Sequence, residues 1–327
     1  MKFAAWVQNG IERAGVVDQG LAYAFPLGTS VLDLVQAGLS ESLRRGERLV
    51  RDADSVELAS VRLLPPLQPP SVRDFVAFEE HVEGIVRSVS GDATIADQWY
   101  LAPTFYFTNP HTLRATGDEI SAPSGSVALD FELEVAAVIG AVDGSDGRNL
   151  TVQQSHEAIF GYTIFNDWSA RDIQGREMQV NLGPCKGKDF GTTLGPWIVT
   201  ADEFEARHDA EGFLPIAMSV SVNGVRFGND LLSSMGWPFA ELVAYASRNS
   251  RVVPGDVLGS GTAGSGCLAE IWGRVGSRTP PPLQPGDVVR MEVEGIGWIE
   301  NRVVEGITLP SVAPARLRPR LQRPSLV

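Results

Sequence analysis

The sequence predicts a mainly β chain of the α+β class, on three observations. Short apolar strand patterns bounded by glycine and proline recur from end to end, helical patterns are few, and the composition is that of a packed globular protein. Hydrophobic residues make up 43% of the 327 and charged residues 20%, which is too apolar for a disordered chain. A chain of this length buries enough surface to need no disulfide staples. At roughly 150 residues per domain, it divides into about two domains.

Residues 1–63 alternate runs such as FAAWVQNG and GLAYAFPLG with turns, which predicts a small β-rich unit. Within it a helix fits Ser30 to Ala37, where Val31, Leu34 and Val35 share a face. In Leu64-Pro65-Pro66-Leu67-Gln68-Pro69-Pro70, four of seven residues are proline, which excludes regular structure. We read it as the linker ending a small N-terminal domain, 1–70, before a main domain, 71–327; a proline-rich surface loop within one domain is the alternative. Beyond it, helices are expected near Phe75–Val89, Val152–Glu157 and Pro238–Ser247. Strands are expected at Val127–Ile139, Ile159–Asn166, Trp197–Thr200, Ile216–Val222, Val288–Val293 and Gly297–Val303. Pro-Gly-Asp at 254–256 and again at 285–287 marks turns. The segment from Ala315 to Pro324 carries four arginines and reads as a solvated basic tail.

Charge and motif content remove several functions. Acids outnumber bases 40 to 27, a net charge of −13, which argues against nucleic-acid or anionic-membrane partners. Two cysteines, Cys185 and Cys267, make neither a disulfide framework nor a CxxC zinc pair, so a reducing, cytoplasmic setting is expected. The N-terminal apolar run is too short for a signal peptide, and no run of 18 apolar residues exists to span a membrane. Gly259-Ser-Gly-Thr-Ala-Gly264 fits G-x-G-x-x-G. The segment after Cys267 reads as a short strand-like piece and not as the helix a dinucleotide site requires. Gly183-Pro-Cys-Lys-Gly-Lys188 lacks both the spacing and the Ser/Thr of a phosphate loop. Neither a G-x-S-x-G elbow nor an H-E-x-x-H helix is present.

A set of oxygen donors remains. In Val127-Ala-Leu-Asp-Phe-Glu-Leu-Glu-Val135, Asp130, Glu132 and Glu134 fall on one strand face, with Val127, Leu129, Phe131, Leu133 and Val135 on the other. Same-face neighbours stand about 7 Å apart, so the carboxylates repel unless water screens them or a cation binds. A solvated strand face and a cation site fit this stretch equally. Asp167 closes the apolar run Ile159–Asn166, either as a site residue or as an N-cap of the next turn. Asp74 opens a helix-like segment on which His81, two turns on, shares its face. His81 is a candidate general base; His111 competes for the role, and His208 lies in a charged segment. Only three lysines occur, Lys2, Lys186 and Lys188, and the latter two sit in a glycine-rich loop that a ligand can approach.

Taken in order, Asp74-x6-His81, Glu132-Leu-Glu134, Asn166-Asp-Trp-Ser-Ala-Arg-Asp-Ile-Gln174, Gly187-Lys-Asp-Phe-Gly-Thr-Thr193, Gly261-Thr262 with Glu270, and Pro285-Gly-Asp287 with Gly295-Ile-Gly297 and Asn301 resemble the fumarylacetoacetate hydrolase family over about residues 71–306. The resemblance implies a mixed β-roll or β-sandwich catalytic domain, often with a smaller N-terminal domain, in a homodimer. It implies metal-dependent hydrolysis of a carbon–carbon bond in a β-diketo acid of the fumarylacetoacetate or acylpyruvate type. Decarboxylation, tautomerisation or hydration of a 2-keto acid at the same site is the alternative. By position it makes Asp74, Glu132, Glu134 and Asp167 ligands of a divalent metal, with magnesium expected and manganese or calcium as alternatives. His81 becomes the general base, Glu270 its orienting partner and Lys188 a stabiliser of the oxyanion. Tyr106, Arg171, Gln174 and Thr262 become substrate contacts, and Thr192 falls near the structural part of the lysine loop. Two departures stand out. Where the acylpyruvase and decarboxylase members carry a glutamate three residues after the histidine, this chain has Gly84, and Met178–Gly183 lacks a family tyrosine and is one residue longer.

Overall fold

The computed structural model describes residues 1–318 except 92 and 143, with side chains for all of these but 89 and 90. The far end of the basic tail, 319–327, lies outside the described residues; the part from 311 to 318 is exposed and has no regular structure.

Strands β1 (Lys2–Gln8), β2 (Ile11–Asp18) and β3 (Leu21–Ala24) form an antiparallel meander. Helices α1 (Val31–Ala37) and α2 (Leu39–Asp52) come next. Ser30 opens α1 with a capping box, exchanging hydrogen bonds with Asp33. The second helix departs from the β-rich expectation for this unit, because most of its LSESLRRGERLVRD sequence is polar and only one side touches the core. Strands β4 (Ser55–Glu57) and β5 (Arg62–Leu63) return to β3 and β1.

Next come β6 (Val72–Phe75), α3 (Glu79–Ser90), β7 (Phe105–Thr108), β8 (Leu113–Arg114) and β9 (Glu119–Ser121). They lead to β10 (Leu129–Asp130), β11 (Leu133–Ile139), α4 (Val152–Glu157), β12 (Ile159–Asp167), β13 (Ser169–Ala170), α5 (Arg171–Met178) and β14 (Thr192–Thr200). The chain ends through β15 (Ala217–Val222), β16 (Val225–Leu231), α6 (Phe239–Ser247), β17 (Val257–Gly259), α7 (Leu268–Val275), β18 (Val288–Val293) and β19 (Gly297–Val304).

Among the described residues a large mixed sheet runs β4-β3-β2-β1-β14-β12-β11-β17-β6-β7, and a second runs β16-β15-β18-β19-β9. The sheet-rich expectation holds. The large sheet crosses from the N-terminal segment to the rest through β1 and β14, with Lys2 opposite Val199 and Phe3 opposite Ile198. Residues 1–70 and 71 onward therefore share hydrogen bonds as well as a core, in which Phe3, Val16, Leu34 and Val35 pack with Val138, Phe160 and Ile198. The proline-rich connector between them has no regular structure.

Three local expectations are corrected. Asp74 lies on strand β6 and not on a helix with His81; α3 starts only at Glu79. The strand expected over 127–139 breaks at Phe131 and Glu132. There Asp130 Oδ1 takes the Phe131 N–H and the Asn166 side chain takes the Glu132 N–H, at 2.8 and 3.0 Å. The piece after Cys267 is helix α7. Its first free N–H groups, on Leu268 and Ala269, donate to Asp130 at 2.8 and 3.0 Å.

Candidate active site

The site forms where several strands of the large sheet end together. Side chains alternate along a strand, so Val72, Val138, Phe165 and Val257 on one sheet face continue, two or four residues away, into Asp74, Glu134, Asp167 and Gly259. The register aligns them: Asp74 faces Tyr106 on one side and Gly259 on the other, while Asp167 pairs with Thr192. One face thus passes from an apolar core to a row of acids. Glycine at 259 makes the row possible, since a Cβ there would stand 2.6 Å from Asp74 Oδ1 and 3.1 Å from Glu134 Oε2.

Asp74, Glu132 and Asp167 are buried and bring one carboxylate oxygen each within 4.8 Å of the others. Asp74 Oδ1 and Asp167 Oδ1 are buried without a hydrogen-bond donor, a costly arrangement for a carboxylate unless a cation completes it. Glu134 lies beside them, but its oxygens accept from Gly261 N–H at 3.1 Å and Thr262 Oγ1 at 3.3 Å. The glycine-rich 259–264 loop therefore serves a carboxylate. The solvated-face reading of Glu132 and Glu134 fails, since both are buried.

Two cations stand against these four acids. Lys188 Nζ bridges Glu132 and Asp167, with 2.7 Å to Asp167 Oδ2. Arg171 joins Glu132 and Asp130 at 2.8 Å each. Tyr106 donates its hydroxyl to Asp167, and Gln174 Oε1 accepts from Arg171 at 3.1 Å. The acids titrate accordingly. Burial, then the neighbouring Asp167, pushes Asp74 well above the carboxylate range, and burial, then Asp74, does the same to Glu134. Burial outweighs Lys188 at Asp167 and raises it to about 6. At Glu132 burial loses to Lys188 and Arg171, which hold the group well below its usual range. Burial opposes the Lys188 ammonium, but Asp167 and Glu132 keep it charged. Were all four acids ionised, the two fixed cations would leave them undercompensated, which adds to burial in holding protons on Asp74 and Glu134. The oxygen-only donor set, with two orphaned carboxylate oxygens, fits a hard divalent cation.

Above this cluster α3 carries His81 and α7 carries Glu270, with Nδ1 to Oε1 at 2.8 Å and both residues buried. The other Glu270 oxygen accepts from Ser265 N–H at 2.8 Å and Arg274 at 3.2 Å. The carboxylate is thus held to receive an Nδ1 proton, which leaves Nε2 as the basic nitrogen. Cys267 Sγ lies 3.9 Å from Nδ1, and burial, then Glu270, pushes its thiol up. A cavity of about 340 Å³ joins the two clusters; Asp74, His81, Tyr106, Glu132, Arg171, Gln174, Lys188 and Thr262 all line it. His111 and His208 are not among its lining residues. Lys186 is exposed and paired with Asp189 at 2.8 Å.

Asp130 has a role here that the strand pattern does not reveal. It holds the N-terminus of α7 and pairs with Arg171, so it positions Glu270 and Arg171 together. The pattern places it among the acids, but its partners are unreadable as long as α7 is taken for a strand.

Residues 71–304 match the family described as the C-terminal part of fumarylacetoacetate (FAA) hydrolase. The chain belongs to the fumarylacetoacetate hydrolase family. It is 30% identical over 284 residues to the fumarylacetoacetase of Arabidopsis thaliana, covering 71% of this chain and 67% of that one. It is also 30% identical over 281 residues to the maleylpyruvate hydrolase of Aquipseudomonas alcaligenes, covering 84% and 86%. The maleylpyruvate hydrolase of Sphingobium sp. SYK-6, solved with manganese(II) and pyruvate, shares the fold at a TM-score of 0.68 and 20% identity, covering 94% of this chain and 100% of that one. This family member is an enzyme of the class that hydrolyses carbon–carbon bonds in ketonic compounds. Among the described residues no helix is long and apolar enough to cross a membrane.

Proposed function

We propose that this enzyme hydrolyses a carbon–carbon bond of a β-diketo acid of the acylpyruvate or fumarylacetoacetate type. One observation carries the reading: a His81–Glu270 pair at 2.8 Å opens onto the same cavity as the Asp74, Glu132 and Asp167 cluster. Asp74, Glu132 and Asp167 would hold the divalent cation, with Glu134 beside them. We propose magnesium, with manganese and calcium suited to the same oxygens. When bound, the cation would polarise the keto oxygens and favour the enolate form of the leaving carbanion.

The protein groups supply the rest. His81, with Nδ1–H directed at Glu270, takes a proton from water on Nε2. The hydroxide adds to the acyl carbonyl, where Lys188 and Arg171 offer positive charge to the oxyanion. The carbon–carbon bond breaks, its electron pair stays on the departing carbon, and the His81 imidazolium returns the proton there. Tyr106, Gln174 and Thr262 bound the substrate. Val76, Val82, Ile85, Phe105 and Met178 give the outer cavity an apolar wall suited to a hydrocarbon acyl group.

Gly84 favours hydrolysis over the decarboxylase reading. Glu270 fills the space beside it, so the acid beside His81 comes from α7 and leaves no room for one at 84. The test is loss of diketone absorbance for a panel of acylpyruvates with and without chelator. Turnover that chelation abolishes and magnesium restores supports the proposal. No turnover of any member with magnesium, manganese or calcium overturns it.

A further inference from the structure

We propose that His81, Cys267 and Glu270 form a second metal site, selective for a soft divalent cation of the zinc type, whose occupation switches off the base of the hydrolase. The switching-off rests on the function proposed above; the binding does not.

The geometry is that of three vertices of a small tetrahedron. His81 Nδ1 to Glu270 Oε1 is 2.8 Å, Cys267 Sγ to Glu270 Oε1 3.7 Å and Cys267 Sγ to His81 Nδ1 3.9 Å. Zinc bonds of about 2.3 Å to sulfur and about 2.0–2.2 Å to nitrogen and oxygen set tetrahedral edges of roughly 3.3–3.6 Å. The three atoms meet that requirement by moving roughly half an ångström. All three residues are more than nine-tenths buried.

Their surroundings hold them in place. Glu270 commits its other oxygen to Ser265 N–H and Arg274, so Oε1 faces the cluster. Cys267 immediately precedes α7, whose first N–H groups are fixed by Asp130. Of the three residues His81 lines the cavity, so a cation would enter past its ring, while Cys267 and Glu270 lie fully buried behind it.

The two clusters sort cations by softness. Three carboxylates suit magnesium or calcium, whereas a thiolate with an imidazole suits zinc or cobalt(II) and is a poor site for magnesium. On binding, the Cys267 thiol releases its proton to solvent. The Nδ1 proton moves to Nε2, and Nδ1 and Sγ each give an electron pair to the metal. One proton leaves per metal bound, and no electron is transferred. With Nε2 protonated, His81 no longer accepts a proton from water.

The chain has only two cysteines, which makes the test clean. Cobalt(II) chloride is titrated into full-length protein in saturating magnesium, and the near-ultraviolet thiolate-to-cobalt absorption is read. One equivalent per chain should give the band in wild type and in Cys185→Ser, and neither Cys267→Ser nor Cys267→Ala should give it. Zinc should displace cobalt, bleach the band and inhibit acylpyruvate turnover. Extra magnesium should not relieve that inhibition, and Cys267→Ser should resist it at least tenfold relative to its own basal rate. No band in Cys185→Ser overturns the proposal even if the Cys267 variants fail to fold; so does a band that survives in Cys267→Ser. A cobalt band in a protein inactive on every acylpyruvate keeps the site and removes the function.

Discussion

Gly84 of α3 and Glu270 of α7 occupy a single volume: a Cβ on residue 84 would stand 2.8 Å from Glu270 Cγ and 3.2 Å from its Cβ. The two helices close on each other again at Gly273, whose added Cβ would meet Gly84 O at 2.5 Å. The absence of a side chain at 84 is thus what lets Glu270 reach His81.

Gly84→Ala should therefore act on the chemistry before it acts on the metal. Alanine gains up to about 1 kcal/mol in helix propensity, but overpacking costs about 1–3 kcal/mol, so a small net loss of stability is expected. The displaced Glu270 should lower kcat by roughly tenfold or more, the range of a general base deprived of its partner. Magnesium affinity, read by calorimetry, should stay within about twofold. Unchanged kcat would remove Glu270 from the mechanism.

His81→Ala and Glu270→Gln should separate the base from its orienting group. Loss of the base should reduce kcat by about 10²–10⁴. The glutamine still accepts the Nδ1–H but lacks the charge that stabilises an imidazolium, so kcat should fall less, with KM little changed. A raised KM with kcat intact would assign both residues to binding instead.

Gly259→Ala tests the acid row without altering an acid. The new methyl would press on Asp74 Oδ1 at 2.6 Å. Magnesium affinity should drop at least about tenfold, or ~1.4 kcal/mol, with the circular dichroism of the fold retained. Wild-type affinity in this variant would place the cation away from Asp74.

The pH dependence rests on Asp167, raised from its ordinary 3.8 to about 6 by burial. The folded, metal-free protein keeps a proton there that the unfolded chain has released. That group's contribution to stability is present below about pH 4 and is lost as pH rises through about 6. A cation competes with the same proton, so its apparent affinity should rise at least roughly tenfold per pH unit up to that point, with the raised Asp74 carboxyl adding to the slope. The magnesium-induced increase in Tm should be small at about pH 5 and larger at about pH 7. An increase independent of pH would mean that Asp167 is not displaced from its proton.

Legibility tracks the range of the interactions. The run from Ile159 reads as a buried strand because β12 is covered on both faces, and Asp167 stands out at its end. Strand β6 is hidden because its polar residues, Arg73 and Asp74, are buried. Arg73 donates to the Arg251 carbonyl at 3.0 Å and pairs with Asp256, partners far along the chain. Helix α7 is hidden for a similar reason: its N-terminal N–H groups are satisfied by Asp130, 138 positions away, so no local capping residue marks its start. The family resemblance locates the acids and the His81–Glu270 pair. Only the folded chain shows the crossing of α3 and α7 at Gly84, and the thiol beside it.

The pairing of β1 with β14 has a practical consequence for anyone trimming this chain. The family's catalytic-domain match begins at residue 71, but the ladder of main-chain bonds does not stop there. A fragment beginning at 71 would bare β14 at Ile198 and Val199, while Thr192, opposite Asp167, would keep its pairing with Leu113 of β8. It would also uncover Val138, Phe160 and Ile198, which α1 and β1 shield. An open strand edge beside an uncovered apolar face is a template for self-association. The leading 70 residues would be expected to keep the catalytic part soluble, and a fragment from 71 that stays monomeric and soluble would contradict this.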